Sequence, residues 1–132
     1  MHTLTFKVSV QDTVEALQTA IGNSGMLLLG HINGQANAAK IGESVPAVRI
    51  LHVFRPELAV RVWRTHPPAG IEIPVRVYVY ENANGHSLVN YRSLLEAMAP
   101  YNIQELSDVG RETDTIFATI MQNASSACEE LV

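Results

Sequence analysis

Arg76, Tyr78 and Tyr80 alternate with valines along one short stretch of the chain. Alternate residues of an extended segment share a face, so one guanidinium and two phenols project together. A guanidinium grips a carboxylate or phosphate through its planar fork, while phenol rings stack on an organic body. Tyr91, across the turn that follows, is a candidate fourth member. The same side chains also suit a solvated sheet face with its phenol tips in water. Arg55 precedes Pro56 at the start of an apolar-periodic segment. There it can hold an anion near the positive end of a helix, or simply end a strand. His52 stands among Val48, Ile50 and Phe54. An imidazole in such company can ligate a metal or haem iron, or move a proton. Hydrogen-bonded inside a core, it is purely structural. His31, on the Leu27/Leu29 segment before it, is its candidate partner.

No complete catalytic constellation accompanies these residues. HExxH, GxSxG, a Walker loop and the Rossmann glycine pattern are all absent. His2, His66 and His86 are isolated, and Cys128 is the sole cysteine, so no internal disulfide can form. Three function classes remain. The first is a binding domain for a small ligand or protein partner. The second is a haem or metal protein using His52. The third is an enzyme acting on a small anionic substrate, for which no nucleophile or base is identifiable. A net charge of −4 argues against general nucleic-acid binding, which wants a basic surface. The arginines at 49, 55, 61, 64 and 76 form either a local positive patch or a set of solvated side chains. No apolar run approaches the about 20 residues that span a bilayer. Met1-His2-Thr3-Leu4 lacks the basic-then-apolar pattern of a secretory signal, so a cytoplasmic location is expected.

The 132 residues, 47% apolar, suit one domain spanning 1–132 with one core. Leu4, Phe6, Val8 and Val10 predict a first strand. Asp12 and Glu15 read as a capping box, and Val14, Leu17 and Ile21 as one face of the helix behind it. Asn23-Ser24-Gly25 closes that helix. Met26 to Ile32 is a second strand, and 33–42 a short helix or ordered loop. In the strand from Val48, the face of Val48, Ile50, His52 and Phe54 is the apolar one. Pro56 starts a helix striped by Leu58, Ala59, Val62 and Trp63, which Pro67-Pro68 stops. A strand over Ile71–Glu81 puts Ile71, Ile73, Val75, Val77 and Val79 on one face. Asn84-Gly85 turns it into a returning strand, His86–Tyr91. Ser93 and Glu96 cap a short helix that ends at Pro100. Asn102 and Glu105 cap a long one, striped by Leu106, Val109, Thr113, Ile116, Phe117, Ile120 and Met121. Residues 125–132 read as a flexible tail. The sum is an α+β fold: two layers, with about five antiparallel strands packed by helices.

The segment also resembles the family called domain of unknown function 302. The resemblance is carried by Phe54-Arg55-Pro56, Leu58-Ala59, Gly70, Ile73-Pro74, Val77 to Glu81, Gly85 and Tyr91. Ile32, Ala36, Ala38 and Gly42 add to it. It implies a compact α+β domain with a curved sheet resembling the TATA-binding-protein fold, and a homodimer. That likeness concerns fold, not nucleic-acid binding. Three positions depart from the family pattern. Arg55 replaces an asparagine before the helix-starting proline, and Val75 replaces a cysteine found in some relatives. Arg92-Ser93-Leu94 replaces an Asn-Asp-Pro run. Cysteine chemistry therefore does not carry over.

Overall fold

A computed structural model describes residues Met1 to Val132. Five strands, β1 (His2–Phe6), β2 (Leu27–Asn33), β3 (Val48–Phe54), β4 (Val75–Glu81) and β5 (Ser87–Tyr91), form one antiparallel sheet in the order β1-β5-β4-β3-β2. The helices are α1 (Val10–Asn23), α2 (Gly34–Lys40), α3 (Pro56–Thr65), α4 (Leu94–Met98) and α5 (Gln104–Glu129). The expected α+β class and five-stranded sheet are present.

The register decides which face is buried. Leu51 pairs with Val77, Val53 with Val75, and Val79 with Val89. These side chains meet Val14, Leu17, Ile21, Phe117 and Ile120 of α1 and α5 in one core of 29 residues. Burying each such side chain contributes about 1.5–3 kcal/mol. Ile116, expected inside with them, is only half-buried.

The β3 face is a correction. The buried side is Leu51 and Val53, not Val48, Ile50 and His52, which are half-buried on the uncovered side. β3 is apolar on both faces, so alternation alone cannot choose. Arg49 sits on the helix side, but its long stem lets the charged head reach Gln11 and His31 at the surface. Phe54 lies beyond the last β3–β4 pair and does join the core.

Other boundaries move for local reasons. β1 ends at Phe6, and Ser9 rather than Asp12 caps α1, accepting from the Asp12 amide at 3.1 Å. Val10, expected in the strand, is therefore the first helical residue and is buried. Residues Pro67–Glu72 form a 3-10 turn, so β4 begins at Val75 and Ile71 is not in a strand. Pro74 has no amide donor, and regular pairing starts just after it. Trp63 is 54% exposed rather than buried with its helical stripe. α5 has Ile103 as its cap residue, without a side-chain bond, and Asn102 instead takes the left-handed conformation that ends the preceding turn. α5 also runs past residue 125 to Glu129 and buries Cys128, which shortens the expected tail.

Gly110 shows how close the helices come. A β-carbon there would lie 2.6 Å from the Leu95 α-carbon and 2.8 Å from its nitrogen. The α4 backbone rests directly on α5 at this point. Alanine would gain about 1 kcal/mol of helix propensity, but overpacking against backbone costs about 1–3 kcal/mol or more. Gly110→Ala should therefore lower the urea midpoint. Gly22→Ala in α1, with open space around it, should leave the midpoint unchanged or raise it. Equal effects of the two substitutions would contradict this packing.

Candidate functional site

The face of the sheet opposite α1 and α5 carries the candidate residues. His52 pairs with Arg76, Ile50 with Tyr78, and Val48 with Tyr80. Across β4, Tyr78 pairs with Asn90 and Tyr80 with Leu88. Directly paired residues point the same way, so His52, Arg76, Tyr78 and Tyr80 share one surface. Tyr78 stacks on Tyr80 with ring centroids 5.1 Å apart, and it is 38% exposed.

Arg92 follows Tyr91, whose pairing with Val77 ends the β4–β5 ladder, and it lines the same groove as Arg76 and His52. His52 in turn pairs with Gly30 of β2. A β-carbon on Gly30 would fall 3.1 Å from His52 Cδ2, so the imidazole folds over this glycine. Neither Arg76 nor Arg92 makes a side-chain hydrogen bond or ion pair. Neither guanidinium is balanced by a carboxylate partner, so the positive charge of the groove is uncompensated.

Two short segments wall these residues into a groove of about 890 Å³. One wall is Ile71 to Pro74. The other runs from Arg92 through Leu94 to Ala97. Both walls are held from behind. Tyr101 Oη donates to Glu72 Oε2 at 3.2 Å. Asp114 of α5 accepts from Ser93 Oγ and, at 2.8 Å, from the Leu94 amide. Burial, and then the nearby Glu72, push the Tyr101 phenol up. Glu72 is thus engaged, and the other acid of the groove, Glu96, lies 3.8 Å from the Met1 amino group.

Tyr91 does not join Tyr78 and Tyr80. It pairs with Val77, faces the helices and is 7% exposed. Its ring stacks on His2 at 4.8 Å and meets Phe117 at 5.5 Å. Burial, and then Asp114, raise its phenol pKa. It forms the floor behind the groove. Arg55 lies apart, at the start of α3, where it makes no capping bond.

His31 does not meet His52 either. It pairs with Leu51, whereas Gly30 pairs with His52, so the two imidazoles occupy opposite faces. A bulge between Leu28 and Gly30 also breaks the alternation that grouped His31 with Leu27. Arg49 Nη1 donates to His31 Nε2 at 3.1 Å, which engages the lone pair a metal would need. No cluster of three or more metal-ligating side chains is present, and no helix is long and apolar enough to cross a membrane.

Sequence reasoning missed Arg92. The signal was available: counting from the Asn84-Gly85 turn places it at the same end of the hairpin as Arg76. Asp114 and Glu72 left no such trace, because their partners come from distant segments.

The chain matches the family described as "Domain of unknown function DUF302" over residues 2–124. Among solved structures, it is similar to an uncharacterized conserved DUF302 protein from Bacillus stearothermophilus. The TM-score is 0.80 with 19% identity, over 96% of each chain. That likeness speaks for the fold. No functionally curated protein matches.

His31 generates a pH prediction. Burial, and then Arg49, lower its pKa from the ordinary imidazole value. A base with a lowered folded pKa stabilises the fold above its unfolded value, and that contribution is lost as pH falls through the folded value. Unfolding free energy should therefore decline on acidification below about pH 6.5, and His31→Gln should flatten that decline in urea melts. An unchanged slope would show that His31 does not report on folding.

Proposed function

This chain belongs to the DUF302 family, and we propose that it is a binding domain whose groove on the uncovered sheet face holds a small organic anion. The observation that supports this reading is the cluster of Arg92, Arg76 and His52. It places two unpaired guanidiniums in one groove of a chain with net charge −4. An anion seated between Arg76 and Arg92 would balance their charge and satisfy their donors in paired, fork-like contacts. The test is a titration with acetate, cyclohexanecarboxylate and benzoate, followed by amide NMR at low salt. Saturable shifts should centre on residues 52, 76 and 92 and vanish in Arg76→Gln. Without ligand, Arg92→Gln should leave the urea midpoint unchanged or raise it slightly, since it removes one of two exposed like charges in the groove. No saturable shift at millimolar carboxylate would overturn the reading.

His52 supports a second reading, as a haem or metal ligand. It is half-buried on the open face with no hydrogen-bond partner at either ring nitrogen. Haemin added to the protein would then give a Soret shift that is lost in folded His52→Ala. A shift that survives the substitution removes this reading.

The remainder of the open face suits a second copy of the chain. Ile32 is 39% exposed and lies in a strip with Ile50 and Val48. We therefore propose a homodimer that covers the strip. Light scattering should give twice the chain mass, falling to the monomer in Ile32→Glu. A monomer at all concentrations would rule the dimer out.

A further inference from the structure

We infer that the anion held in this groove is an aromatic carboxylate, with its charge at Arg76 and Arg92 and its ring over Tyr78. This rests on the anion-binding reading above and narrows it. Three observations carry the narrowing. The first is size. A groove of about 890 Å³ has room for an organic molecule as well as its charged group.

The second is the separation of polarity along the strands. Arg76 and His52 pair near the walled end of the strands, with Arg92 beside them. The next row in the same register, Asn90, Tyr78 and Ile50, continues into Ile32. Moving from the arginines onto β4 therefore passes from cationic to aromatic surface within a single alternation of the strand. A ligand that uses both must carry its charge at one end of an apolar body.

The third is the shape of the apolar part. Tyr78 is backed by Tyr80 at 5.1 Å and 30° between planes, so its ring is held by a stacked neighbour. Its flanks are Ile50 and Asn90, the cross-strand partners on either side. A planar ring laid on Tyr78 can take the offset arrangement that aromatic pairs prefer.

The experiment compares three probes, inorganic phosphate, cyclohexanecarboxylate and 2-naphthoate, on the whole protein and two variants. The single tryptophan, Trp63, lies on Gly70 beside Ile71 and offers a fluorescence readout. Calorimetry gives the affinities. The expected order is 2-naphthoate tightest, by about tenfold over cyclohexanecarboxylate, as a favourable aromatic stack implies. Tyr78→Leu keeps an apolar side chain at an exposed position. It should erase most of that preference by weakening 2-naphthoate far more than cyclohexanecarboxylate. Arg76→Gln should weaken every probe. Equal affinity for the two carboxylates, still lost in Arg76→Gln, overturns the aromatic assignment and leaves the anion site standing. The same holds if phosphate binds as tightly as naphthoate. Failure of all three probes to bind overturns the anion site itself.

Discussion

The pairing of β3 with β4 is the constraint on which everything else rests. A one-residue slip would turn Leu51 and Val53 toward solvent and carry Ile50 and His52 into the core. The slip is prevented by Val75, Val77 and Val79, whose burial under α1 and α5 is complete or nearly so. The same register that builds the core also sets His52 beside Arg76 and Ile50 beside Tyr78. Core and the sheet-borne part of the groove are thus two faces of one set of backbone hydrogen bonds.

The groove needs walls as well as a floor, and these come from tertiary contacts. α4 is too short to stand alone, since isolated helices of this length are unstable in water. It is held by Asp114, which takes up Ser93 and the first free amide, and by the bare backbone of Gly110 beneath Leu95. Helix α5 in turn is tied to α3 through Arg61, which pairs with Glu105 and Glu112. These part-exposed ion pairs contribute little energy each; the helix that positions one wall of the groove is held chiefly by its buried side chains, Leu106, Val109, Phe117 and Ile120 among them. Elsewhere Arg55 Nε and Thr113 Oγ1 are buried without a protein partner, while other buried polar groups are paired. Thr13 and Ser87 bond one another beneath the sheet, and burial followed by Asp12 raises the Cys128 thiol, which keeps it protonated and unreactive.

Much of this was legible from residue order. The alternation of Val75 to Tyr80 gave both faces of β4, the Asn84-Gly85 turn gave the hairpin, and the Leu106–Met121 stripe gave α5. Three things were not. β3 is apolar on both sides, so its buried face depends on its neighbours and not on its own pattern. Ser9 and Asp12 both suit a cap, and the strand-like alternation of Val8 and Val10 concealed which was used. A bulge in β2 inverts parity midway along the strand, which separates His31 from the face its spacing suggested. For the site, Arg76, Tyr78, Tyr80 and His52 do come together, whereas Tyr91 falls on the other face, one step out of phase.

The occupant of the space beside Arg76 and Arg92 decides whether the groove is an anion site. A crystal structure of the protein grown with 4-bromobenzoate, read at the bromine edge, locates both ends of such a ligand. The carboxylate should lie between the two guanidiniums and the bromine peak above Tyr78. Well-diffracting crystals with no bromine peak in the groove, or with the bromine at the arginines, would contradict this assignment.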